Sequence, residues 1–278
     1  MNERAIDLLM TDTSKKPRGF LDGPKVHKAD PRVAGFALSY LDAFGYLKDE
    51  LSAWKDISLL DIKLALGDLQ TSLGLKRTKT LTVQTIHAME APRCGCPDVL
   101  RPRHKCQHEL TRRRDAMLPK WKKKGLAYTV TGDLPKVSND ALAGIVDTAF
   151  ELWAKHTTLA FHRVTDEKKA DIVVGPGQGR QSNFDGPGGT LGWASLPNND
   201  RQIAVKLDRD ETWTFDPRDR GFCVHHVVRH EIGHALGLTH SRTHSALKSP
   251  FYNAAVGEPQ AIDDVPRLQA RYGPPQNA

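Results

Sequence analysis

The stretch His230-Glu231-Ile232-Gly233-His234-Ala235-Leu236-Gly237-Leu238-Thr239-His240 has the form H-E-x-x-H-x-x-G-x-x-H. His230 and His234 are four residues apart, so on a helix they share a face and can hold one metal ion between them. Gly237 lets the chain leave the helix sharply, because glycine reaches the left-handed conformation without steric cost, and this bend brings His240 round as a third ligand. Three imidazoles and a water molecule make an open catalytic zinc site.

Glu231 follows the first ligand directly, which places its carboxylate beside the metal without ligating it. We expect it to act as the general base that takes a proton from water. The alternative is an amphipathic helix whose polar face happens to carry histidines, but that interpretation does not explain Gly237 and His240. His225 and His226 fit no ligand spacing and are expected to be ordinary surface or helix-start residues.

The chain has 278 residues, of which 39% are hydrophobic, and this suits one large or two modest globular domains. No run of eighteen apolar residues occurs, so no transmembrane helix is expected. Residues 1–34 lack the apolar core of a signal peptide and are expected to form a poorly ordered lead.

The formal net charge of +7 is concentrated between Arg101 and Lys124, where Glu109 and Asp115 are the only acidic residues. A nucleic-acid surface is not expected there, because the segment lacks interleaved aromatic residues and matches no binding module. We expect residues 99–124 to form an exposed basic linker that an activating trypsin-like protease cleaves.

Two regions of different character flank this linker. Residues 35–98 carry apolar side chains at helical spacing, with Ser58 and Thr82 placed as N-caps, and predict a small three-helix unit. Residues 125–274 predict one α+β domain with a mixed sheet, and residues 275–278 a tail. Strands are expected at Leu126–Val130, Leu159–Val164, Asp171–Gly175, Thr190–Ser195 and Gln202–Leu207, with a helix after Ser138 and another at Asp263–Tyr272.

A second motif, Pro92-Arg93-Cys94-Gly95-Cys96-Pro97-Asp98, is similar to the cysteine-switch motif P-R-C-G-x-P-D of the matrix metalloproteinases. Upstream, Leu69-Gln70, Leu73-Gly74-Leu75, Leu81 and Thr85 resemble the propeptide of that family, a fold also found in peptidoglycan-binding modules. From about Leu60 to Gly273 the chain therefore resembles a matrixin, a family of the metzincin zinc peptidases. The resemblance implies a metzincin-type α+β catalytic domain, with a twisted mixed five-stranded sheet and three helices, preceded by a three-helix propeptide.

The resemblance also implies that Cys94 fills the fourth zinc position and keeps the enzyme latent. A zinc-bound thiol is deprotonated, so it displaces the water that catalysis needs. Cys96 replaces an apolar residue of the family motif. The alternatives are a disulfide between Cys96 and Cys106, or a small metal site built from Cys94, Cys96, His104, Cys106 and His108.

Phe184-Asp185-Gly186-Pro187-Gly188-Gly189-Thr190 resembles the calcium loop of the family. The implied calcium ligands are Asp185, Gly186, Gly188, Thr190, Asp208 and Glu211. A glycine-rich turn without an ion is the alternative. The places of the family's second, structural zinc hold Gln178, Arg180, Trp193 and Lys206, which are poor zinc ligands, so we expect that zinc to be absent.

The turn after the zinc motif reads Ala246-Leu247-Lys248-Ser249-Pro250-Phe251-Tyr252, and Lys248 stands where the family has a methionine beneath the metal. A buried ammonium there would face desolvation and like-charge repulsion. We therefore expect its head to reach solvent, or the turn to shift so that Leu247 or Phe251 forms the floor. The resemblance implies a substrate-binding surface made of Leu191, Gly192, Trp193, Ala194, Pro250 and Tyr252.

Together these features predict a zinc-dependent metalloendopeptidase made as a latent zymogen. Its expected partners are a protein or peptide substrate, bound as an extended strand along Thr190–Ser195, and the activating protease. The chain is expected to be monomeric, and the resemblance implies an extracellular location. The competing hypothesis is a catalytically weakened, zinc-containing scaffold that recognises a cell-wall glycan or another partner through its N-terminal helices.

Overall fold

A computed structural model describes residues 31–47, 57–100, 115, 118–179 and 184–275. These residues form two compact units: residues 31–91 with 97–100 make unit 1, and residues 92–96 with 115 onward make unit 2. His104, Cys106, His108, Arg180 and most of the predicted linker lie outside the described residues. None of the helices in the described ranges is long and apolar enough to cross a membrane.

Unit 1 is built from three helices in its described part, α1 (Pro31–Ala43), α2 (Leu59–Ser72) and α3 (Val83–Met89). The hydroxyls of Ser58 and Thr82 accept hydrogen bonds from backbone amides in the first turns of α2 and α3, as their N-cap positions predict. The core is aliphatic, with Leu41, Leu66, Leu69, Leu81 and Ile86 no more than 1% exposed. Three helices are present in this part, but α1 begins at Pro31, inside the segment 1–34 that was expected to be a poorly ordered lead, and Val33 and Ala34 are buried. The domain bounds 35–98 stay a prediction.

Unit 2 contains a six-stranded sheet in its described part, with strand order β1-β5-β6-β4-β2-β3. The strands are β1 (Arg93–Cys94), β2 (Gly125–Val130), β3 (Ala160–Arg163), β4 (Ile172–Gly177), β5 (Thr190–Ala194) and β6 (Ile203–Asp208). All neighbours are parallel except β5 and β6. The five predicted strands are thus confirmed, and the sixth is added by the segment around Cys94. A two-stranded ribbon of β7 (Trp213–Thr214) and β8 (Phe222–Cys223) was not predicted.

Three helices accompany this sheet: α4 (Asn139–Ala154), α5 (Val224–Ala235) and α6 (Asp264–Tyr272). Helices α4 and α5 share a core in which Ala149, Trp153, Val228 and Ile232 are fully buried. The Trp153 indole also donates to the backbone carbonyl of Arg229 at 2.9 Å. Helix α5, which carries the histidine motif, is therefore fixed on its apolar face.

The boundary between linker and catalytic unit lies upstream of the predicted position after Lys124. Trp121 is 2% exposed and its indole donates to the carbonyl of Ala235 at 2.8 Å. Asp115 is buried, accepting from the Thr239 amide and from the Arg267 guanidinium. Burial of the Trp121 side chain is favourable, and the neighbouring lysines can keep their ammonium groups in water at the edge of unit 2. The described part of this basic stretch therefore packs onto unit 2.

Candidate metal centre

Helix α5 places two of the predicted ligands on one buried face. His230 and His234 are 3% and 2% exposed, and their ring centroids are 5.0 Å apart. Burial lowers the pKa of both imidazoles well below the usual range, and the charge of Lys248 lowers it further. Both rings are therefore neutral, which is the form that ligates a metal.

The helix ends at a turn that returns the chain toward this face. Gly237 has a φ of 91°, and the amide of Leu238 donates to the carbonyl of Gly233 at 3.0 Å. The chain then reaches His240, whose ring centroid lies 4.8 Å from that of His234 and 5.4 Å from that of His230. The predicted role of Gly237 in bringing the third histidine round is thus matched by the backbone.

Gly237→Ala is expected to lower the free energy of unfolding by about 1–3 kcal/mol, because alanine is strained in this conformation. A Cβ atom there would also lie 2.5 Å from a guanidinium nitrogen of Arg271. Urea unfolding of the variant measures the effect. Gly144→Ala is the matched control: that glycine has open space in α4, so alanine should stabilise by about 0.5–1 kcal/mol. Equal stabilities of the two variants would contradict the argument.

Backbone carbonyls orient two of the rings. The Nδ1 atom of His230 lies 2.7 Å from the carbonyl oxygen of Leu247, and that of His234 lies 2.7 Å from the carbonyl oxygen of Leu238. A carbonyl only accepts, so Nδ1 carries the proton and Nε2 presents its lone pair. The Nε2 atom of His230 is buried and makes no hydrogen bond with the described residues, which fits an atom placed to ligate a metal ion.

Cys94 completes a cluster of four. Its sulfur lies 3.4 Å from Nε2 of His234, and the ligand atoms of Cys94, His230, His234 and His240 are all within 4.8 Å of one another. This donor set of three imidazoles and one thiolate suits a tetrahedral zinc ion. The residues therefore fit the metal that the motif predicts. Burial raises the pKa of the Cys94 thiol, with further raising by the neighbouring Cys96.

The segment 92–96 lies along the edge of the sheet. Cys94 pairs with Gly192 in parallel register, and the amide of Gly95 donates to the carbonyl of Gly192 at 2.8 Å. On the other side, the Cys94 amide donates to the carbonyl of Pro250 at 2.9 Å, and the Tyr252 amide donates to that of Pro92 at 3.0 Å. The surface predicted to bind substrate is thus covered by the chain itself.

A family model described as matrixin peptidase matches residues 120–273, which is more than half of the chain. The chain belongs to the matrixin family. It is similar to an interstitial collagenase of Oryctolagus cuniculus, with 34% identity over 246 residues, covering 86% of this chain and 49% of the collagenase. It is also similar to stromelysin-1 of Equus caballus, with 36% identity over 217 residues, covering 75% and 42% respectively. The chain thus spans about half the length of these relatives or less, and the predicted resemblance is confirmed.

Glu231 lies beside the histidines of this matrixin centre. It is fully buried, and no hydrogen bond of standard geometry reaches either carboxylate oxygen from the described residues. Burial raises its pKa to about 7, although the charge of Lys248 and the facing Cys94 thiol act in the opposite direction. A carboxyl group with a near-neutral pKa is suited to accept and return a proton.

The expectation that the Lys248 head reaches solvent is wrong. Its side chain is fully buried, its ammonium does not reach solvent, and Nζ donates to the backbone carbonyl of His230 at 2.6 Å. The stem fits because Gly233 lacks a side chain: a Cβ atom there would lie 2.7 Å from Cδ of Lys248. The net pKa of Lys248 is about 8, because burial lowers it more than the nearby charge of Glu231 raises it. Asp264 holds this turn by accepting from the amides of Leu247 and Lys248, and the expected shift of the turn stays a prediction.

His226 is a site residue that the sequence interpretation missed. It lies in the first turn of α5 and is 6% exposed, so the helix-start alternative holds and the surface alternative does not. Its Nδ1 lies 2.7 Å from the carbonyl oxygen of Val256. Its ring meets that of Tyr252 edge-on, at 5.1 Å between centroids. The signal was available, because His226 precedes His230 by four residues and therefore shares its helix face.

A small cleft opens beside the cluster. Its lining includes Leu191, His226, Val227, Pro250, Phe251 and Tyr252. The Tyr252 hydroxyl accepts from the Cys223 amide at 2.8 Å, which fixes the wall of the cleft. Three of the six predicted substrate-binding residues, Leu191, Pro250 and Tyr252, thus border one depression, and Gly192, Trp193 and Ala194 continue along β5.

The predicted calcium loop has a defined arrangement. The Thr190 amide donates to Asp185 at 2.8 Å, and the Gly188 amide donates to Glu211 at 2.7 Å. Asp208 is fully buried, and one of its carboxylate oxygens has no hydrogen-bond partner among the described residues. Burial raises the pKa of Glu211 to about 7, and the charges of Asp208 and Asp185 raise it further. Gly186 lies in the same loop with a φ of 94°.

The places of the family's structural zinc hold no cluster of ligands in the described residues. Gln178 donates to Asp210 at 3.0 Å, while Trp193 and Lys206 pair across β5 and β6. The expectation for this second zinc stays a prediction.

Proposed function

We propose that this matrixin is a zinc-dependent metalloendopeptidase made as a latent zymogen. The observation that carries the proposal is the cluster of Cys94, His230, His234 and His240 around one point, with Glu231 beside it. Zinc held there would supply Lewis acidity to a peptide carbonyl and would lower the pKa of water.

The chain's own residues supply the rest of the reaction. Glu231 takes the proton from water and returns it to the leaving amine, a role that its pKa of about 7 supports. An extended peptide would pair with the edge of β5 once the segment 92–96 has left, and one side chain would enter the cleft beside Tyr252. The same edge therefore serves the inhibitor and the substrate in turn.

Activation follows from cleavage of the basic stretch. The buried positions of Asp115 and Trp121 support a productive cut upstream of Asp115, among Arg101, Arg103, Lys105 and Arg112–Arg114. Lys120 donates to the carbonyl of Arg271 and Lys123 pairs with Asp171, so these two downstream lysines are engaged by unit 2. We infer that an external trypsin-like protease performs the cut.

Cys94→Ala is expected to make the uncleaved protein hydrolyse a quenched-peptide library about tenfold or more faster than the uncleaved wild type, because the competent fraction rises when the latch is lost. A chelator should abolish turnover by the variant and by linker-cleaved wild type. Cys223→Ala, which removes a buried thiol outside the cluster, is the matched control and should stay latent.

Two outcomes would count against the proposal. If Cys94→Ala stays as silent as the uncleaved wild type while the cleaved protein is active, latency does not depend on Cys94. If no form hydrolyses any peptide with zinc bound, the scaffold hypothesis replaces the enzyme. The scaffold hypothesis assumes that Lys248 weakens the metal site. The three histidines nevertheless keep a ligating arrangement above the buried lysine, and no described feature favours the scaffold.

We further propose that the loop around Asp185 binds one calcium ion with Gly186, Gly188, Thr190, Asp208 and Glu211. The buried carboxylates of Asp208 and Glu211 support this, because burial and their mutual repulsion disfavour the charged forms and a bound cation would offset both. The names of the relatives support a protein substrate and an extracellular location. A cell-wall glycan on unit 1 and a monomeric state are further proposals.

A further inference from the structure

A second thiol lies beside the switch cysteine in the metal centre. The ligand atoms of Cys94, Cys96, Glu231 and His234 are all within 4.8 Å of one another. Cys94 and Cys96 are 6% and 8% exposed, and neither is in a disulfide. The proposed latency uses the thiol of Cys94 and leaves that of Cys96 without a role.

The backbone holds the two cysteines in a close turn. The amide of Cys96 donates to the sulfur of Cys94 at 3.3 Å, so the chain folds back on its own side chain. Gly95 makes this approach to the sheet possible, because a Cβ atom there would lie 2.5 Å from a methyl group of Thr190. The turn thus holds the thiol of Cys94 against the backbone of Cys96.

The two sulfurs have different surroundings. The sulfur of Cys94 points to the histidines, 3.4 Å from His234. The sulfur of Cys96 lies at the end of β5, where it donates to the Ala194 carbonyl at 3.3 Å and accepts from the Ala194 amide at 3.4 Å. A disulfide requires about 2.05 Å between sulfurs, so the bond requires a side-chain rotation, and a Cys94 that turns toward Cys96 turns away from the histidines.

We propose that Cys94 and Cys96 are a dithiol modification site, at which a hydroperoxide converts the pair into a disulfide and withdraws Cys94 from the metal centre. One thiol reduces the hydroperoxide and becomes a sulfenic acid, with release of water or the corresponding alcohol. The second thiol attacks that sulfur, the S–S bond forms, and water leaves. A dithiol reductant reverses the reaction by exchange.

The effect on activity rests on the proposed function, whereas the formation of the bond does not. A disulfide sulfur is no longer a thiolate and cannot hold the zinc as one. Oxidation would therefore remove the latch from the metal centre without proteolysis, so that the segment 92–96 is held only by its backbone hydrogen bonds and can leave β5. Reduction would restore latency. This makes the bond a reversible alternative to the cut in the basic stretch.

The test uses the full, uncleaved chain loaded with cobalt in place of zinc, treated with hydrogen peroxide and then with dithiothreitol. We expect peptide mapping to find a Cys94–Cys96 disulfide and the thiolate-to-cobalt absorption to disappear, both reversed by dithiothreitol. In the zinc protein, peptide turnover should rise by about tenfold or more on oxidation. Cys96→Val, which carries an apolar residue of similar size, should show no reversible change, while Cys106→Ala should respond like the wild type.

The readouts separate this inference from the proposed function. A disulfide that joins Cys106 to either residue, or a Cys94–Cys96 bond that leaves the cobalt absorption intact, overturns the inference. So does a Cys96→Val variant that responds reversibly. If linker-cleaved zinc protein hydrolyses no peptide, the proposed function fails, but the mapping and the absorption still test the thiol pair.

Discussion

Glu231→Gln is expected to lower kcat for peptide hydrolysis by about 10²–10⁴-fold, while the protein keeps its zinc and its KM changes little. Glutamine has nearly the same shape as glutamate, but its amide cannot take a proton from water. The carboxylate is fully buried beside the three histidines, so no other described acidic side chain of the cluster stands ready to replace it.

The measurement is steady-state hydrolysis by the linker-cleaved variant, with zinc content determined on the same sample. Glu151→Gln, on the exposed side of α4, is the matched control and should keep full activity. Turnover within about twofold of the wild type would remove Glu231 from the mechanism. Loss of zinc together with turnover would show that the substitution acts on the site's structure instead.

Lys248→Met is expected to raise the free energy of unfolding of the metal-free protein by about 3 kcal/mol at neutral pH. The folded protein lowers the pKa of this lysine from 10.5 to about 8, and a tenfold change in a protonation equilibrium corresponds to about 1.4 kcal/mol. Methionine has a similar length and fills the space above Gly233 without a charge.

The pH dependence has a defined sign. Below about pH 8 the lysine is charged in both states, and the cost of burying it is fully present. Between about pH 8 and 10.5 the unfolded chain binds the extra proton, so the stability of the wild type rises with pH and the advantage of methionine shrinks. Urea unfolding of both proteins across this range measures the difference.

Lys168→Met, an exposed lysine, is the matched control and should change stability by no more than about 0.5 kcal/mol. A Lys248→Met protein that is less stable than the wild type at pH 7 would contradict the argument. It would mean that the hydrogen bond from Nζ to the His230 carbonyl outweighs the cost of desolvation.

Local spacing was enough to predict the helix, the turn and the third histidine. The interval of four places His230 and His234 on one face, and Gly237 permits the positive φ that turns the chain toward His240. The caps at Ser58 and Thr82 are equally local, since each hydroxyl bonds within its own helix turn. Features of this kind depend on neighbours in sequence.

Features that depend on distant partners were missed. The burial of Lys248 follows from a gap at Gly233, fifteen residues away, and from a carbonyl on the facing helix. Trp121 lies in a stretch whose charge predicts exposure, but its indole finds the carbonyl of Ala235. Charge and periodicity describe what a residue prefers in isolation, whereas the fold decides which partner is within reach.

The buried pair of Asp115 and Arg267 would set a limit on the proposed proteolytic maturation. Asp115 holds both the amide and the hydroxyl of Thr239, the residue immediately before the third histidine, while Arg267 donates to the Thr239 carbonyl. Trimming past Asp115 would remove one of the two carboxylates that pair with the buried Arg267 guanidinium, leaving Asp263 as the other, and would release one side of Thr239. A protease that removes a few residues too many would thus loosen the metal site it was meant to uncover.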